Sequence, residues 1–269
     1  QNCIMVMLSY LYGTILNALA LFSFDKYAGN SGEIRVTCIG DSITEGGACG
    51  APSYTNNLQE ILGDGYAVTN CGVSGMTMLK KGLCGDPAYG NQAGACSWWN
   101  TWAYSAAMES EPDIVTIMLG TNDAKYYNWE GAQQNWGDYY TLDYVDLIHR
   151  LRALKSHPKI YILVPPPIYA PYPYDMNGTI VNQIYPVLER DLASVVGAEI
   201  IDIYSAMVDT GVDNTCDGCH PTETGANIIA QTIADAILGK TRGDKPSSTR
   251  AFPGPNKHRT STVYGQKAP

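Results

Sequence analysis

Short apolar runs alternate with helix-like segments along the middle of this 269-residue chain, and this alternation constrains the fold more than any other feature. Five runs are rich in apolar and β-branched side chains: residues 34–39, 66–70, 114–119, 160–164 and 199–203. Nearly continuous apolar runs are typical of parallel strands buried on both faces. Intervening segments carry apolar residues at helical spacing: residues 142–154, 180–196 and 222–238. The pattern predicts an α/β sandwich with right-handed crossovers, in one domain of residues 33–238.

The first 24 residues carry no charge, and residues 4–16 form an apolar stretch of the length found in signal peptides. The Ala18-Leu19-Ala20 sequence that follows resembles a signal-peptidase site. We therefore expect residues 1–24 to be a signal peptide. Two alternatives are a signal anchor, because the run is just long enough to span a bilayer, and a buried apolar helix. We expect no stable membrane insertion unless the segment is an anchor.

Residues 239–269 differ from the rest of the chain in charge. They contain seven Lys and Arg side chains against one Asp, and they are rich in Pro, Ser, Thr and Gly. This composition predicts a basic, disordered tail, with binding to an acidic surface as the alternative. The remaining residues carry 25 acidic against 10 basic side chains. Such an acidic domain lacks the cationic face that nucleic-acid binding requires, so we expect no nucleic-acid partner.

Polar residues follow the predicted strands at the points where ligands bind in α/β sheets. Ser42 follows the first strand, Gly72 the second and Asn122 the third, while Asp217 and His220 come after the fifth. A serine becomes nucleophilic when a base takes its proton, and histidine is the usual base near neutral pH. Of the four histidines, only His220 follows a predicted strand in a polar, turn-rich segment.

These residues predict an acyl-transfer site that needs neither a metal nor a cofactor. Ser42 would be the nucleophile and His220 the base, and Asp217 would orient the imidazole through its other ring nitrogen. The oxyanion would be held by the backbone N–H groups of Ser42 and Gly72 and by the side-chain amide of Asn122. Gly72 would let the backbone approach the oxyanion because it has no side chain.

The motifs around these residues resemble those of the GDSL-type, or SGNH, hydrolases. The sequence reads GDSITEG at 40–46, GTND at 120–123 and DGCHP at 217–221, and the four family positions correspond to Ser42, Gly72, Asn122 and His220. The resemblance implies a flavodoxin-like three-layer α/β/α sandwich with five parallel strands. It also implies a carboxylic ester hydrolase that acts through an acyl-serine intermediate. The chain has no Gly-x-Ser-x-Gly sequence, so the nucleophile elbow of α/β-hydrolases is absent.

Finer sequence details resemble the carbohydrate-acetylesterase branch of that family, which includes acetylxylan esterases and sialate O-acetylesterase-like proteins. The relevant segments are GTNDAKYYNW at 120–129, KIYILVPPPIY at 159–169 and IIDIY at 200–204. The resemblance implies an acetylated carbohydrate as the substrate. The alternatives are a lysophospholipase or general short-chain esterase, and a catalytically silent glycan-binding protein of the same fold.

The aromatic composition agrees with a sugar substrate, since the chain has 19 Tyr and 5 Trp but only 3 Phe. Tyr and Trp combine an apolar ring face with a polar tip, which suits sugar binding. We expect five aromatic residues in loops after the strands to contact substrate: Trp98, Trp99, Tyr126, Trp129 and Tyr169. The alternative is that such residues only pack their own loops.

The cysteines predict disulfides. Cys38 lies within a predicted strand and is expected to be a free thiol, while six cysteines of the domain allow 15 pairings. The favoured set is Cys84–Cys96, Cys216–Cys219 and, by elimination, Cys49–Cys71. Zinc binding is the alternative for Cys216 and Cys219. The cysteines, the apolar leader and an N-glycosylation sequon at Asn177 together predict a secreted protein.

Overall fold

A computed structural model describes residues 32–129 and 136–240 of the protein. Five strands in these ranges form one sheet: β1 (Ile34–Gly40), β2 (Tyr66–Gly72), β3 (Ile114–Met118), β4 (Lys159–Val164) and β5 (Glu199–Asp202). All neighbouring strands are parallel, in the order β2-β1-β3-β4-β5. The predicted five-stranded parallel sheet is therefore confirmed. The predicted leader, residues 1–24, and the predicted tail beyond Lys240 lie outside the described residues.

The described ranges contain eight α-helices: α1 (Ser42–Glu45), α2 (Tyr54–Leu62), α3 (Trp102–Glu109), α4 (Tyr126–Trp129), α5 (Trp136–Arg152), α6 (Tyr185–Val196), α7 (Ile203–Met207) and α8 (Glu223–Ile237). The three segments predicted to be helical correspond to α5, α6 and α8. The segment predicted from residue 180 begins as a π-helix over Ile180–Ile184, and α6 starts next to Pro186. Because proline lacks an N–H, it is well placed in the first turn of α6.

Both faces of the sheet are covered. Successive residues of a strand point to opposite faces, and in β3 the consecutive residues Val115 to Met118 are all buried. Helices α2 and α8 pack against each other, and α5 contacts α6. These layers explain why the strand sequences are continuously apolar rather than alternating, and they confirm the α/β/α sandwich.

The order of the strands places the candidate site. β2, the next strand in the chain, pairs with one edge of β1, and β3 pairs with the other edge. Crossovers therefore leave β1 and β3 in opposite directions, and ligands bind at such a switch point beyond the carboxyl ends of the strands. Gly40 at the end of β1 is in register with Gly72 of β2 and Met118 of β3. Ser42 and the Gly120–Asp123 loop thus lie at the same edge.

Among residues 32–129 and 136–240, no helix combines the length and the hydrophobicity that crossing a membrane requires.

Candidate active site

Ser42 is the first residue of α1, directly after a tight turn out of β1. The turn requires Gly40, because a Cβ there would lie 2.0 Å from the Thr44 hydroxyl oxygen. Asp41 caps the helix by accepting the Ile43 N–H at 3.0 Å. Ser42 remains partly exposed while Asp41, Ile43 and Thr44 are buried. The local sequence therefore fixes the backbone around Ser42 and leaves its hydroxyl accessible.

Ser42, His220 and Asp217 form a continuous hydrogen-bonded chain. The Oγ of Ser42 lies 2.9 Å from Nε2 of His220, and Nδ1 of His220 lies 2.7 Å from Oδ2 of Asp217. An ionised carboxylate only accepts hydrogen bonds, so Nδ1 carries the imidazole proton and Nε2 presents its lone pair to the Ser42 hydroxyl. This is the tautomer in which the imidazole accepts a proton from a serine nucleophile.

Asp217 is held in its ionised form by several donors. Partial burial pushes its pKa upward, but hydrogen bonds from the His220 ring, the His220 and Cys219 amides and the Tyr174 hydroxyl outweigh burial and lower the pKa to about 2. Oδ1 accepts the two amides at 2.8 and 2.9 Å, and Oδ2 faces His220 and Tyr174. The carboxylate is therefore charged and fixed at neutral pH.

Asn122 lies at the end of the loop after β3, with only 3% of its surface exposed. Its side-chain Nδ2 donates to the carbonyl of Met76 at 3.2 Å. A primary amide has two N–H donors, and this is the one bond that the Asn122 side chain makes within the described residues. Its backbone carbonyl accepts from Asn128 Nδ2 at 3.1 Å. These bonds hold Asn122 in place, and one N–H of its side-chain amide has no partner within the described residues.

The structure contradicts the prediction that the Gly72 N–H is an oxyanion donor. That N–H already donates to Oδ1 of Asn70 at 2.8 Å. A Cβ at Gly72 would lie 2.2 Å from the Glu45 amide nitrogen, so this glycine is needed for packing of β2 against α1. Because motif order alone does not show where an N–H points, the sequence could not distinguish packing from catalysis at this position.

Gly75, three residues later, has the properties that Gly72 lacks. Its φ is +77°, a conformation that favours glycine, and a Cβ there would meet no atom within 4 Å. Its neighbour Met76 accepts the hydrogen bond from Asn122. No hydrogen-bond partner of the Gly75 or Ser42 N–H is found in the described part of the chain. The Val73-Ser74-Gly75 turn in the sequence was the signal for this position.

The family comparison agrees with this geometry. A model of the GDSL-like lipase/acylhydrolase family matches residues 38–228, a range that contains Ser42, Asn122, Asp217 and His220. The chain belongs to the GDSL-like lipase/acylhydrolase family. The sequence-based assignment to GDSL-type hydrolases is therefore confirmed.

Individual relatives of this GDSL-family protein include an acetylxylan esterase from Xylanibacter ruminicola, 36% identical over 224 residues. The match covers 76% of this chain but 43% of that relative, so the chain spans less than half the length of the curated protein. An aryl esterase from M. smegmatis (24% identity) and a carbohydrate acetylesterase from Sinorhizobium meliloti (24%) share the fold with a TM-score of 0.56 each. These matches cover 77% and 78% of this chain and 100% of each solved chain.

Buried hydroxyl groups fix the backbone just before Asn122 in this GDSL-family site. Tyr140 donates to the Leu119 carbonyl at 2.9 Å, and Tyr185 donates to the Gly120 carbonyl at 2.8 Å. The Tyr140 oxygen also lies 2.8 Å from Oε1 of the fully buried Glu189. Tyr140 has a single hydroxyl hydrogen, which it can donate to the Leu119 carbonyl or to Glu189 Oε1; both contacts are satisfied at once when Glu189 is protonated and donates to Tyr140. Burial raises the pKa of Glu189 well above its ordinary value, in agreement with this count.

Asp123, next to Asn122, anchors the same loop. Its two carboxyl oxygens accept the N–H groups of Met78 and Leu79 at 2.9 Å each. Burial raises the pKa of Asp123 to about 7, although the two amides oppose the shift. Asp41 is also buried, and burial raises its pKa to about 6. Both carboxyl groups bind backbone N–H groups beside the site, as expected for residues that stabilise loops.

A disulfide ties the His220 loop to the loop after α1. Cys49 pairs with Cys216, and Cys84 pairs with Cys96. The predicted Cys84–Cys96 bridge and the free Cys38 are thus confirmed, whereas the predicted Cys216–Cys219 and Cys49–Cys71 bridges are wrong. Cys71 and Cys219 are buried free thiols, and burial raises the pKa of Cys71 to about 12. Elimination among the cysteines could not predict the Cys49–Cys216 bridge, because it joins segments 167 residues apart in the sequence that meet only in the tertiary structure.

The five aromatic residues expected to bind substrate have different surroundings. Trp98 is fully buried and its indole N–H donates to the Cys71 carbonyl at 2.9 Å, so the expectation that it contacts substrate is wrong. Its apolar ring packs in the core instead. The other four keep some exposed surface: Trp99, Tyr126, Trp129 and Tyr169. Their contact with a sugar remains a prediction.

A small open pocket of about 230 Å³ lies beside the Ser42–His220 pair. Most of its other lining residues have small side chains or none: Gly46, Gly47, Ala48, Ala51 and Pro52. The space next to the nucleophile therefore suits a small group. Among residues 32–129 and 136–240, no cluster of three or more His, Cys, Asp or Glu side chains could hold a metal ion.

Proposed function

We propose that the protein is a serine esterase that removes acetyl groups from carbohydrates. The observation that carries the proposal is the chain of contacts from Ser42 Oγ through His220 to Asp217, at 2.9 and 2.7 Å. A hydroxyl, a neutral imidazole and a carboxylate at these distances form the arrangement that activates a serine nucleophile.

In the proposed reaction, Ser42 Oγ attacks the acetyl carbonyl while its proton moves to Nε2 of His220. The resulting imidazolium is stabilised by the ionised Asp217. It then protonates the departing sugar oxygen, which leaves an acetyl group on Ser42. Water attacks this acyl-serine with His220 as the base, and acetate leaves.

We assign the oxyanion donors to the backbone N–H groups of Ser42 and Gly75 and to Nδ2 of Asn122. This assignment replaces Gly72, whose N–H is engaged by Asn70. The three groups lie on the loops after β1, β2 and β3, and each has a donor hydrogen without a partner in the described residues. Fixed donors stabilise developing negative charge because they need no reorganisation during the reaction.

Two observations support acetyl esters over long acyl chains. The pocket beside Ser42 is small and lined by glycine, alanine and proline together with Ile43 and Tyr54, whereas a lysophospholipid chain would need a long apolar channel. The 36% identical relative is named as an acetylxylan esterase. The sugar side would be served by the partly exposed Trp99, Tyr126, Trp129 and Tyr169. The two disulfides are compatible with secretion, which we include in the proposal.

The proposal is tested by acetate release from acetylated xylan, chitin fragments and O-acetyl sialic acid, with and without Ser42→Ala. We expect release from at least one acetylated sugar and no release by the variant, with an unchanged thermal transition. A chain-length series of aryl esters should show a sharp drop beyond acetyl. Full activity in the Ser42→Ala variant would refute the nucleophile, and a preference for long acyl chains would favour a lysophospholipase.

A further inference from the structure

Tyr174 contacts both residues that would activate Ser42. Its hydroxyl donates to Oδ2 of Asp217 at 2.8 Å, the same oxygen that lies 2.7 Å from Nδ1 of His220. Its ring meets the imidazole edge to face, with 5.5 Å between ring centroids and 75° between planes. No other side chain in the described residues hydrogen-bonds Asp217 apart from His220.

We propose that Tyr174 is a positioning residue of the Ser42–His220–Asp217 relay, acting through its hydroxyl on the Asp217 carboxylate. This inference rests on the proposed esterase function and assigns a residue that the serine, histidine and aspartate motifs do not contain.

The carboxylate leaves a place for such a donor. Oδ1 of Asp217 is occupied by the Cys219 and His220 amides, Oδ2 lies between His220 Nδ1 and the Tyr174 hydroxyl, and the side chain is 27% exposed. Without Tyr174, water would solvate this oxygen and compete with the imidazole proton for its lone pairs. A fixed hydroxyl replaces mobile water with one donor of defined direction. Hydrogen bonds to both oxygens then fix the orientation of the Asp217 carboxylate.

The backbone around Tyr174 is held in place independently of that hydroxyl. Tyr174 and Asp175 are consecutive non-glycine residues with φ of +57° and +60°, a costly conformation that persists where surrounding contacts impose it. Those contacts are backbone bonds to the loop after β3. Tyr126 N–H donates to the Asp175 carbonyl at 3.1 Å, and Asn177 N–H donates to the Ala124 carbonyl at 2.8 Å. The segment that carries Tyr174 is therefore held against the loop that carries Asn122.

The hydroxyl also influences the charge of the relay. Hydrogen bonding to Asp217 raises the pKa of Tyr174, so the proton stays on the tyrosine and partly neutralises the carboxylate. Removing it leaves a more negative Asp217, which holds an imidazolium more strongly. In the Tyr174→Phe variant, the acid limb of the pH profile should therefore move upward.

The test compares Tyr174→Phe with the wild type on 4-nitrophenyl acetate between pH 5 and pH 9. We expect kcat to fall about five- to tenfold, KM to stay within about twofold, and the acid limb of kcat/KM to shift to higher pH. Tyr174→Ala should lose no more than about twofold beyond Tyr174→Phe, since the hydroxyl is the acting group. Tyr139→Phe is the matched control, because Tyr139 on α5 is also 52% exposed.

An unchanged kcat and an unmoved limb in Tyr174→Phe would overturn the inference. It would also be overturned if kcat fell without a shift of the limb, because that result indicates a merely structural role. Ser42→Ala separates the two levels: an active Ser42→Ala variant refutes the proposed function, whereas an inactive one beside an unaffected Tyr174→Phe refutes only the role of Tyr174.

Discussion

The loops that carry Asn122 and His220 follow strands at the same sheet edge, yet their surroundings differ. The Asn122 loop is enclosed: Asn122 and Asp123 expose 3% and 0% of their surface, and buried tyrosine hydroxyls hold the carbonyls before them. The His220 loop is less enclosed: His220 is 9% exposed and the Asp217 side chain 27%, and Tyr174, which contacts both residues from the segment after β4, is 52% exposed. In addition to the buried Cys219, a disulfide at Cys216 fastens the His220 loop.

This difference matches the proposed roles of the two loops. Oxyanion donors act best when they are rigid and shielded from water. A histidine that gains and loses a charge in each cycle would be impeded by complete burial, because desolvation disfavours the imidazolium. The ionised Asp217 beside His220 offsets that penalty, and the disulfide at Cys216 fastens the loop that carries both residues. Four predictions test the comparison, from the largest expected effect to the smallest.

Asp217→Asn should reduce kcat by about 10³–10⁴-fold and lower the free energy of unfolding at pH 7 by at most about 2.6 kcal/mol, since the lowered pKa of the carboxylate stabilises the fold. The amide would accept the Cys219 and His220 N–H groups but would direct its NH₂ at Nδ1, which forces the imidazole into the wrong tautomer. Steady-state kinetics and urea unfolding measure the two effects. Asp213→Asn, a change of charge at an exposed residue of the same segment, is the control. A large loss of stability in Asp217→Asn would mean that the His220 loop depends on this carboxylate for folding.

The two disulfides should contribute unequally to stability. Cys49–Cys216 closes a loop with a sequence separation of 167, against 12 for Cys84–Cys96. In the chain-entropy model, removing the first bridge costs about 5 kcal/mol and removing the second about 3 kcal/mol. Urea unfolding of the two double Cys→Ser variants tests this order. The reverse order would show that the His220 loop is held chiefly by other contacts.

Asp123→Ala should destabilise the protein by about 3 kcal/mol, because the buried N–H groups of Met78 and Leu79 lose their acceptor. Activity should fall as well, since Asn122 is the adjacent residue. Asp146→Ala is the control: its side chain is 34% exposed and its ion pairs with Lys80 and Arg150 lie at the surface, where such pairs contribute at most about 1 kcal/mol. Equal losses in the two variants would contradict the contrast between buried and exposed anchoring.

Glu189→Gln should stabilise the protein increasingly as the pH rises. The folded protein keeps the Glu189 proton while the unfolded chain loses it above the ordinary carboxyl pKa, so wild-type stability falls by up to about 1.4 kcal/mol per pH unit. Glutamine cannot ionise, and its NH₂ can still donate to Tyr140. Thermal or urea unfolding between pH 4 and pH 8 should therefore show equal stabilities at the acid end and a growing advantage for the variant. A difference independent of pH would mean that Glu189 is ionised in the fold.

Several features could be predicted from the sequence because they are local. Continuous apolar strands imply burial on both faces, and Ser42, Asn122, Asp217 and His220 follow strands in the order of known motifs. Cys84 and Cys96 are close in the chain, so their pairing needs only a short loop. Cys38 lies within a strand, which implies burial as a thiol.

Other features depend on contacts between distant segments. The sequence analysis assigns an oxyanion N–H to Gly72 instead of Gly75. The two glycines differ in what packs against them and not in residue type, so the sequence does not distinguish them. Trp98 was misplaced for the same reason, since only packing distinguishes a core indole from a surface one. Tyr174 follows β4 but contacts Asp217, 43 residues away in the chain, and no local pattern indicates that contact.

The sequence by itself determined the order of strands and helices, the family and the residue types that could perform acyl transfer, because periodicity and motif spacing are properties of neighbouring residues. Only the tertiary structure decided which N–H groups lack a partner, which cysteines pair, and that the Asn122 side of the site is more deeply buried than the Asp217 side. These are consequences of how the loops after five strands pack against one another, and that packing involves residues far apart in the chain.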